Sequence, residues 1–271
     1  MGNSRQAPAG DFDYEAHGAG YVVRRQPDPR IAALVHAALG DARTVINVGA
    51  GAGSYEPLDR HVVAVEPAAA MRAQRPHHLA PALDATAEHL PFDDDSFDAA
   101  MAMITIHQWS DVDAGLRELR RVSRGPVAIL TFDADALLDF WLNEYVPEVT
   151  ATERARFPAI QQVVAILGGE VDVIDVPIPI DCTDGFGEAY YARPEAFLAP
   201  DVRAAQSGWV LTDPDAVDRG IAKLADDLAS GRWDERHGHL RSQPERVGAV
   251  RLIAQQSLAL VDGPVDRSTP F

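Results

Sequence analysis

One stretch constrains this chain more than any other. Thr44-Val45-Ile46-Asn47-Val48 runs straight into Gly49-Ala50-Gly51-Ala52-Gly53. A short β-branched run predicts a buried strand. Glycines at alternate positions after it predict a sharp turn, where backbone can lie against a ligand with no Cβ in between. Such a turn by itself is a weak signal, with a tight glycine turn after a strand as its alternative.

The next strand narrows the choice. His61–Val65 is a second run of this kind and ends on Glu66-Pro67. An acid at that point is placed to take the two hydroxyls of an adenosine ribose. Dinucleotides and S-adenosylmethionine both carry that ribose, and the linker between the strands separates them. Ser54–Arg60 leaves room for only a turn or so of helix and carries Glu56 and Asp59. A pyrophosphate needs an intact helix N-terminus and is repelled by such acids. A cationic sulfonium without phosphate suits the position better.

Further apolar runs lie at Pro81–Asp84 (weak), Ser96–Ile106, Pro126–Phe132, Val171–Ile178 and Ala249–Ala254. Helical spacing occupies Ile31–Leu39 before Gly40, and Asp111–Val122 behind a Ser110 cap. It returns from Leu137 to about Leu167 with a break at Pro147. Strands alternating with helices predict an α/β, doubly wound, seven-stranded sheet, with Ala249–Ala254 as antiparallel partner of Val171–Ile178. The expected organisation is an arm at 1–30, a core at 31–180 plus 247–262, and a mostly helical insertion at 181–246. Ligands of such sheets sit at the carboxyl ends of the strands.

Composition limits the partners. A net charge of −17 argues against nucleic acid, and the basic stretches Arg24-Arg25 and Arg117–Arg124 are short. No apolar run is long enough for a bilayer, and the first residues show no signal-peptide pattern, so a cytoplasmic protein without a membrane partner is expected. The single cysteine, Cys182, rules out an intrachain disulfide, and His237-Gly238-His239 lacks a third ligand at useful spacing, so no metal is expected. Oligomeric state is not legible.

From about Val45 to Asp133 the chain resembles the class I S-adenosylmethionine-dependent methyltransferases of the small-molecule "methyltransferase type 11" kind. The matching stretches are INVGAGAGSYE, AVEPAAAM and DATAEHLPFDDDSFDAAMAMITIHQW. The resemblance implies a Rossmann-like sheet of order 3-2-1-4-5-7-6 and S-adenosyl-L-methionine as cofactor. It implies that Gly49, Ala50, Gly51 and Gly53 line the methionine part, Glu66 and Pro67 the ribose, and Met71, Asp84 and Ala85 the adenine. Main chain at Met103 would border the methionyl group, with His107 beside it, and Tyr21 and Arg25 would close over the cofactor. Asn47 stands where the family usually has an acid.

Methyl transfer is an in-line displacement at an activated carbon, so alignment and a dry site are the main requirements. His107, after the fourth strand, is the candidate base for an acceptor that still carries its proton. Its bland alternative is a packed histidine near the cofactor. Tyr14 in the arm, Trp109, Asp133, and Asp181, Tyr190 and Trp209 in the insertion are candidate acceptor contacts. For the insertion aromatics (Tyr191 and Trp233 among them) the alternative is a small helical core of their own. A flat, aromatic or heterocyclic acceptor in specialised metabolism is expected. The competing reading is a cofactor-binding protein that does not methylate, cyclase-like or a non-catalytic subunit, which the uncharged Asn47 mildly favours.

Overall fold

The structure is a computed structural model that describes residues 12–18 and 21–256. Its strands are β1 Thr44–Val48, β2 His61–Val65, β3 Ala99–Met103, β4 Val127–Phe132, β5 Val171–Pro179 and β6 Glu245–Gln255. They form one sheet in the order β2-β1-β3-β4-β6-β5. The first four are parallel, and β6 runs antiparallel to both neighbours. β3 and β4 are buried at every position, which is why they read as unbroken apolar runs.

Two helices, Val112–Arg121 and Ile160–Leu167, cover one face. Leu116, Leu119 and Val163 pack there on Ile46, Val48 and Ile129. Helix Pro29–Ala38 lays Ile31 and Val35 on the other face, against Val45, Met101 and Leu130. The same apolar cluster continues past Trp141 into the insertion at Phe197, Trp209 and Trp233. Burying each such side chain contributes about 1.5–3 kcal/mol, so the insertion's aromatics and the sheet share one core. Trp141 Nε1 donates to the Tyr191 carbonyl at 2.9 Å and the Tyr191 hydroxyl to the Gln243 carbonyl at 2.6 Å, satisfying two of the polar groups this burial creates.

Four expectations need correction. The sheet has six strands among the described residues: Pro81–Asp84 pairs with β2 only through Leu83 beside Val65. Pro81 has no N–H to extend that ladder, and Leu83 is exposed. The fourth expected strand stops at Met103, because Ile104 takes a left-handed φ of 51° and re-aims the chain. The helix after it is capped by Asp111, whose carboxylate accepts the Ala114 N–H at 2.9 Å, while Ser110 donates to Glu88. The last strand begins at Glu245, well before Ala249, and takes up an irregularity opposite Asp175/Pro177.

Candidate functional site

The strand ends converge on a cleft of about 700 Å³. Its floor is the glycine turn. Gly49 has φ 69°, and a Cβ there would lie 2.1 Å from the Thr105 hydroxyl, so only glycine lets β1 turn beneath the loop after β3. Gly51 has φ 51° and lines the cleft. Gly53 lies deeper, against Leu79 and Arg75. Turns, and no helix, follow the glycines, ending at Tyr55 with φ 65°.

Glu66 leaves β2 at the lip of this floor. Its side chain is buried, accepts the Gly51 N–H at 2.9 Å and the Ala68 N–H at 2.8 Å, and still lines the cleft. Burial pushes its carboxyl above the ordinary range, and the two N–H groups oppose that. Arg72 grips the carbonyls of Glu66 and Pro67 and pairs with Asp84 at 3.1 Å, fixing the adjoining wall. Pro67, Met71, Asp84, Met103 and Trp109 complete that wall with Ala50.

Two acids behave differently from the sequence argument. Glu56 does not face the cleft. It is buried beneath the turn in a double hydrogen bond to Arg75 (3.0 and 2.9 Å) and accepts from Asn47 Nδ2 at 2.9 Å. Asn47 therefore supports the loop from below. Asp59 lies outside as well, next to Arg60. The negative character of the cleft comes from Glu66, Asp84, Glu88, Asp13 and Glu15.

The arm closes one side. Asp13 caps helix Tyr14–His17, Glu15 accepts the Ala70 N–H, and Gln74 Nε2 donates to the Gly18 carbonyl at 2.8 Å. Tyr14 and Tyr21 meet edge to face at 6.0 Å. Arg25 Nε donates to Asp184 Oδ1 at 2.6 Å, and the Tyr55 hydroxyl donates to Asp184 Oδ2 at 2.7 Å. One buried carboxylate thus joins the arm, the glycine turn and the insertion.

Past this closure lies a tighter, mainly apolar chamber of about 90 Å³. It shares Phe12, Tyr14, Tyr21, Arg25 and Ile104 with the cleft. Its own walls include Phe132, Phe140, Phe157, Phe186 and Trp209. His107 stands among them, 4.4 Å from the Phe157 ring centre to centre. Its Nδ1 is buried with no hydrogen-bond partner. Burial first, then the Arg156 and Arg25 charges, hold the imidazole well below its usual value, so it is neutral at pH 7. Glu188 also lines the chamber.

The other sequence candidates lie elsewhere. Asp133 accepts the Asp135 N–H and faces Arg251 at 3.6 Å. Asp181 is at the surface, paired with Arg30 at 2.7 Å. Tyr190 packs on Phe197 and under Arg193. Ala85 packs with the sheet-face cluster. None of these four lines the cleft or the chamber, whereas His107 and Trp209 line the chamber and not the cleft. Sequence reasoning missed Thr105, Tyr55, Phe157 and Glu188. Tyr55 lies within the glycine-turn stretch but gives no sign there of its reach to Asp184, and only the folded insertion brings Glu188 onto β6, with Phe186 on Phe132 of β4. Among the described residues no three His, Cys, Asp or Glu side chains are grouped to hold a metal, and no helix is long and apolar enough to cross a membrane.

An open α/β sheet with a glycine turn after β1 and a buried acid after β2 is the architecture of a nucleoside-binding domain. Residues 46–128 match the family model described as Methyltransferase domain. A putative methyltransferase from an antibiotic biosynthesis pathway of Anabaena variabilis ATCC 29413 superposes with a TM-score of 0.79 at 29% identity, over 86% of this chain and 99% of that one. The uncharacterized methyltransferase YcgJ of Bacillus subtilis (strain 168) is 32% identical over 113 residues, 38% of this chain and 45% of that protein, so the chain spans less than half of this curated relative. Geranyl diphosphate C-methyltransferase of Streptomyces coelicolor A3(2) shares the fold at 14% identity, with a TM-score of 0.50 over 85% of this chain and 79% of that one. The matched domain and the fold are those of class I S-adenosylmethionine-dependent methyltransferases, whose cofactor is S-adenosylmethionine.

Proposed function

We propose that this protein transfers the methyl group of S-adenosylmethionine to a small, largely apolar acceptor held in the inner chamber. The observation that carries this reading is the shared wall: Tyr14, Tyr21, Arg25, Phe12 and Ile104 border both the cleft and the chamber. A cofactor in the first and an acceptor in the second meet at that wall.

In this reading Glu66 takes the ribose hydroxyls, for which its carboxylate is already oriented by two backbone N–H groups. Met71 and Asp84 border the adenine, and Gly49, Gly51 and Met103 the methionine portion. When bound, the cofactor supplies a methyl carbon activated by a sulfonium. The residues of the chain supply alignment and exclusion of water. The arm and the insertion act as the closing elements, held shut by Arg25 and Tyr55 on Asp184.

His107 holds the acceptor's nucleophile by a hydrogen bond to its neutral ring, and takes the proton where the nucleophile carries one. Phe132, Phe157 and Trp209 hold the apolar body. Asp133, Asp181 and Tyr190 have no place in the acceptor site. A flat aromatic or heterocyclic acceptor fits these walls. The Anabaena protein, from an antibiotic biosynthesis pathway, supports a place in specialised metabolism. The charge of −17 supports a small molecule over nucleic acid.

The test supplies methyl-labelled S-adenosylmethionine with a panel of phenols, heterocycles and aryl ketones. Label should pass to one acceptor class, and Trp209→Ala should cut turnover at least tenfold while leaving cofactor affinity within about twofold. Tight cofactor binding with no transfer to any acceptor would favour the non-methylating reading.

A further inference from the structure

The chamber holds one buried acid that the methyl-transfer reading does not use. Glu188 is 2% exposed. Its Oε2 accepts the Ala249 N–H of β6 at 2.7 Å, and its Oε1 has no hydrogen-bond partner. β6 is shaped around it: a Cβ at position 248 would lie 2.2 Å from Oε1, so Gly248 alone leaves room for the carboxyl. Among the described residues no cation pairs with it. Arg246 and Arg251 on β6 act on it only at a distance, and Arg251 already faces Asp133 and Asp175. Asp139, from the turn before Phe140, pushes the other way. Of the other charged groups lining the chamber, Arg25 is bound to Asp184 and Glu153 faces Arg156. A buried polar atom without a partner is costly unless a ligand completes it.

Its position in the sheet sets it apart from the reacting end. Ile104, on the wall shared with the cleft, hydrogen-bonds across to β4 at Leu130. Glu188, from the short helical turn Gly187–Tyr190, is hydrogen-bonded to Ala249 of β6, the next strand beyond β4. Two strand spacings place it roughly 10 Å from the shared wall, the length of a small bicyclic molecule.

We propose that Glu188 is the residue that recognises the far end of the acceptor, donating a hydrogen bond from Oε1 to a carbonyl oxygen on an otherwise apolar molecule. This rests on the chamber being the acceptor site. The direction of the bond follows from the local chemistry. The Ala249 N–H occupies Oε2, so a proton on the group sits at Oε1. Burial pushes the carboxyl up to about 7, which keeps it protonated in mildly acid solution. A site built around one hydrogen-bonding group rejects molecules that leave it unpaired.

The test uses three probes of nearly one shape, each titrated by NMR into protein saturated with S-adenosylhomocysteine: acetophenone, its hydrocarbon isostere α-methylstyrene, and cationic α-methylbenzylamine. At pH 6 acetophenone should bind about tenfold tighter than α-methylstyrene, the worth of one buried hydrogen bond. The preference should decline as pH rises from 6 to 9 and the carboxyl ionises. Glu188→Gln keeps both an acceptor for Ala249 and a donor for the ketone, so its preference should persist and become independent of pH. Glu188→Ala should abolish it. Equal or absent binding of ketone and hydrocarbon at pH 6, tightest binding of the amine, or a Gln variant that still follows pH would each overturn the proposal. S-adenosylhomocysteine that fails to bind at all would instead overturn the cofactor reading of the cleft, and binding to every variant shows that each is folded.

Discussion

The Tyr55 hydroxyl donates to Asp184 Oδ2 across 2.7 Å, and so ties the end of the glycine turn to the insertion, 129 residues further along the chain. Tyr55 reaches it because its own backbone is left-handed at φ 65°. Asp184 is 2% exposed and is held from its other side by Arg25. The floor of the cleft and the closure above it therefore share one carboxylate.

Removing one partner at a time should separate the two supports. Tyr55→Phe deletes a single hydrogen bond to a buried charge and should cost about 1–3 kcal/mol in urea denaturation. Arg25→Ala leaves the charge without its cation and should cost about 3–5 kcal/mol. Both should weaken S-adenosylhomocysteine binding, the arginine variant more. A Tyr55→Phe protein with unchanged stability and affinity would show that the tie between turn and insertion has no energetic weight.

Gly49→Ala meets two obstacles, a positive φ and the Thr105 side chain. The backbone penalty alone is about 1–2 kcal/mol. Adding Thr105→Ala should relieve the clash and recover part of the loss, leaving that remainder. Denaturation midpoints of the single and double variants measure it. A double variant no better than the single would place the whole cost in the backbone.

Glu188 makes stability depend on pH with a definite sign. Its pKa is pushed up to about 7 in the folded protein, against an ordinary glutamate value when unfolded. Between those values the folded state holds the proton more tightly, so stability falls as pH rises from about 4.5 to 7 and levels off above. The shift corresponds to about 3 kcal/mol. Glu188→Gln should lose that contribution to the slope and be more stable than the parent at pH 8, by comparison of urea midpoints at pH 5 and pH 8. A variant that is equally destabilised at both pH values would contradict a neutral, buried carboxyl.

His107→Ala should lower kcat by about 10²–10⁴ for an acceptor that carries a proton on its nucleophile. It should leave cofactor affinity nearly unchanged, because the ring lines the chamber and not the cleft. A loss confined to cofactor binding would return His107 to a packing role.

Much of the core was legible because its signals are local. The apolar runs at β1, β2 and β4, the glycines beyond β1 and the acid beyond β2 each sit within a few residues of one another. β6 could be paired with β5 from its isolation after a helical stretch. What sequence did not reveal depends on long-range packing. Leu83 has the composition of a strand residue, yet Pro81 limits its pairing. Asp181 and Asp184 look equivalent in sequence. The fold exposes the first to Arg30 and buries the second between Arg25 and Tyr55. Glu56 read as an acid facing the ligand, but Arg75, from beyond β2, draws it under the turn. Glu188 carries no local mark; the space that admits it is created by Gly248, on a strand at the far end of the chain.

The most direct test of the account is calorimetric titration of the protein with S-adenosylhomocysteine, S-adenosylmethionine and NAD, repeated with Glu66→Ala. The account predicts binding of both sulfur nucleosides and none of NAD. It further predicts a loss of about 1.5–3 kcal/mol in the variant, the range for hydrogen bonds to a charged group. Because burial raises the Glu66 carboxyl, wild-type affinity should already decline on acidification above the ordinary glutamate range, and the variant should not share that decline. Tighter binding of NAD, or an affinity for S-adenosylhomocysteine that is indifferent to Glu66, would contradict the account.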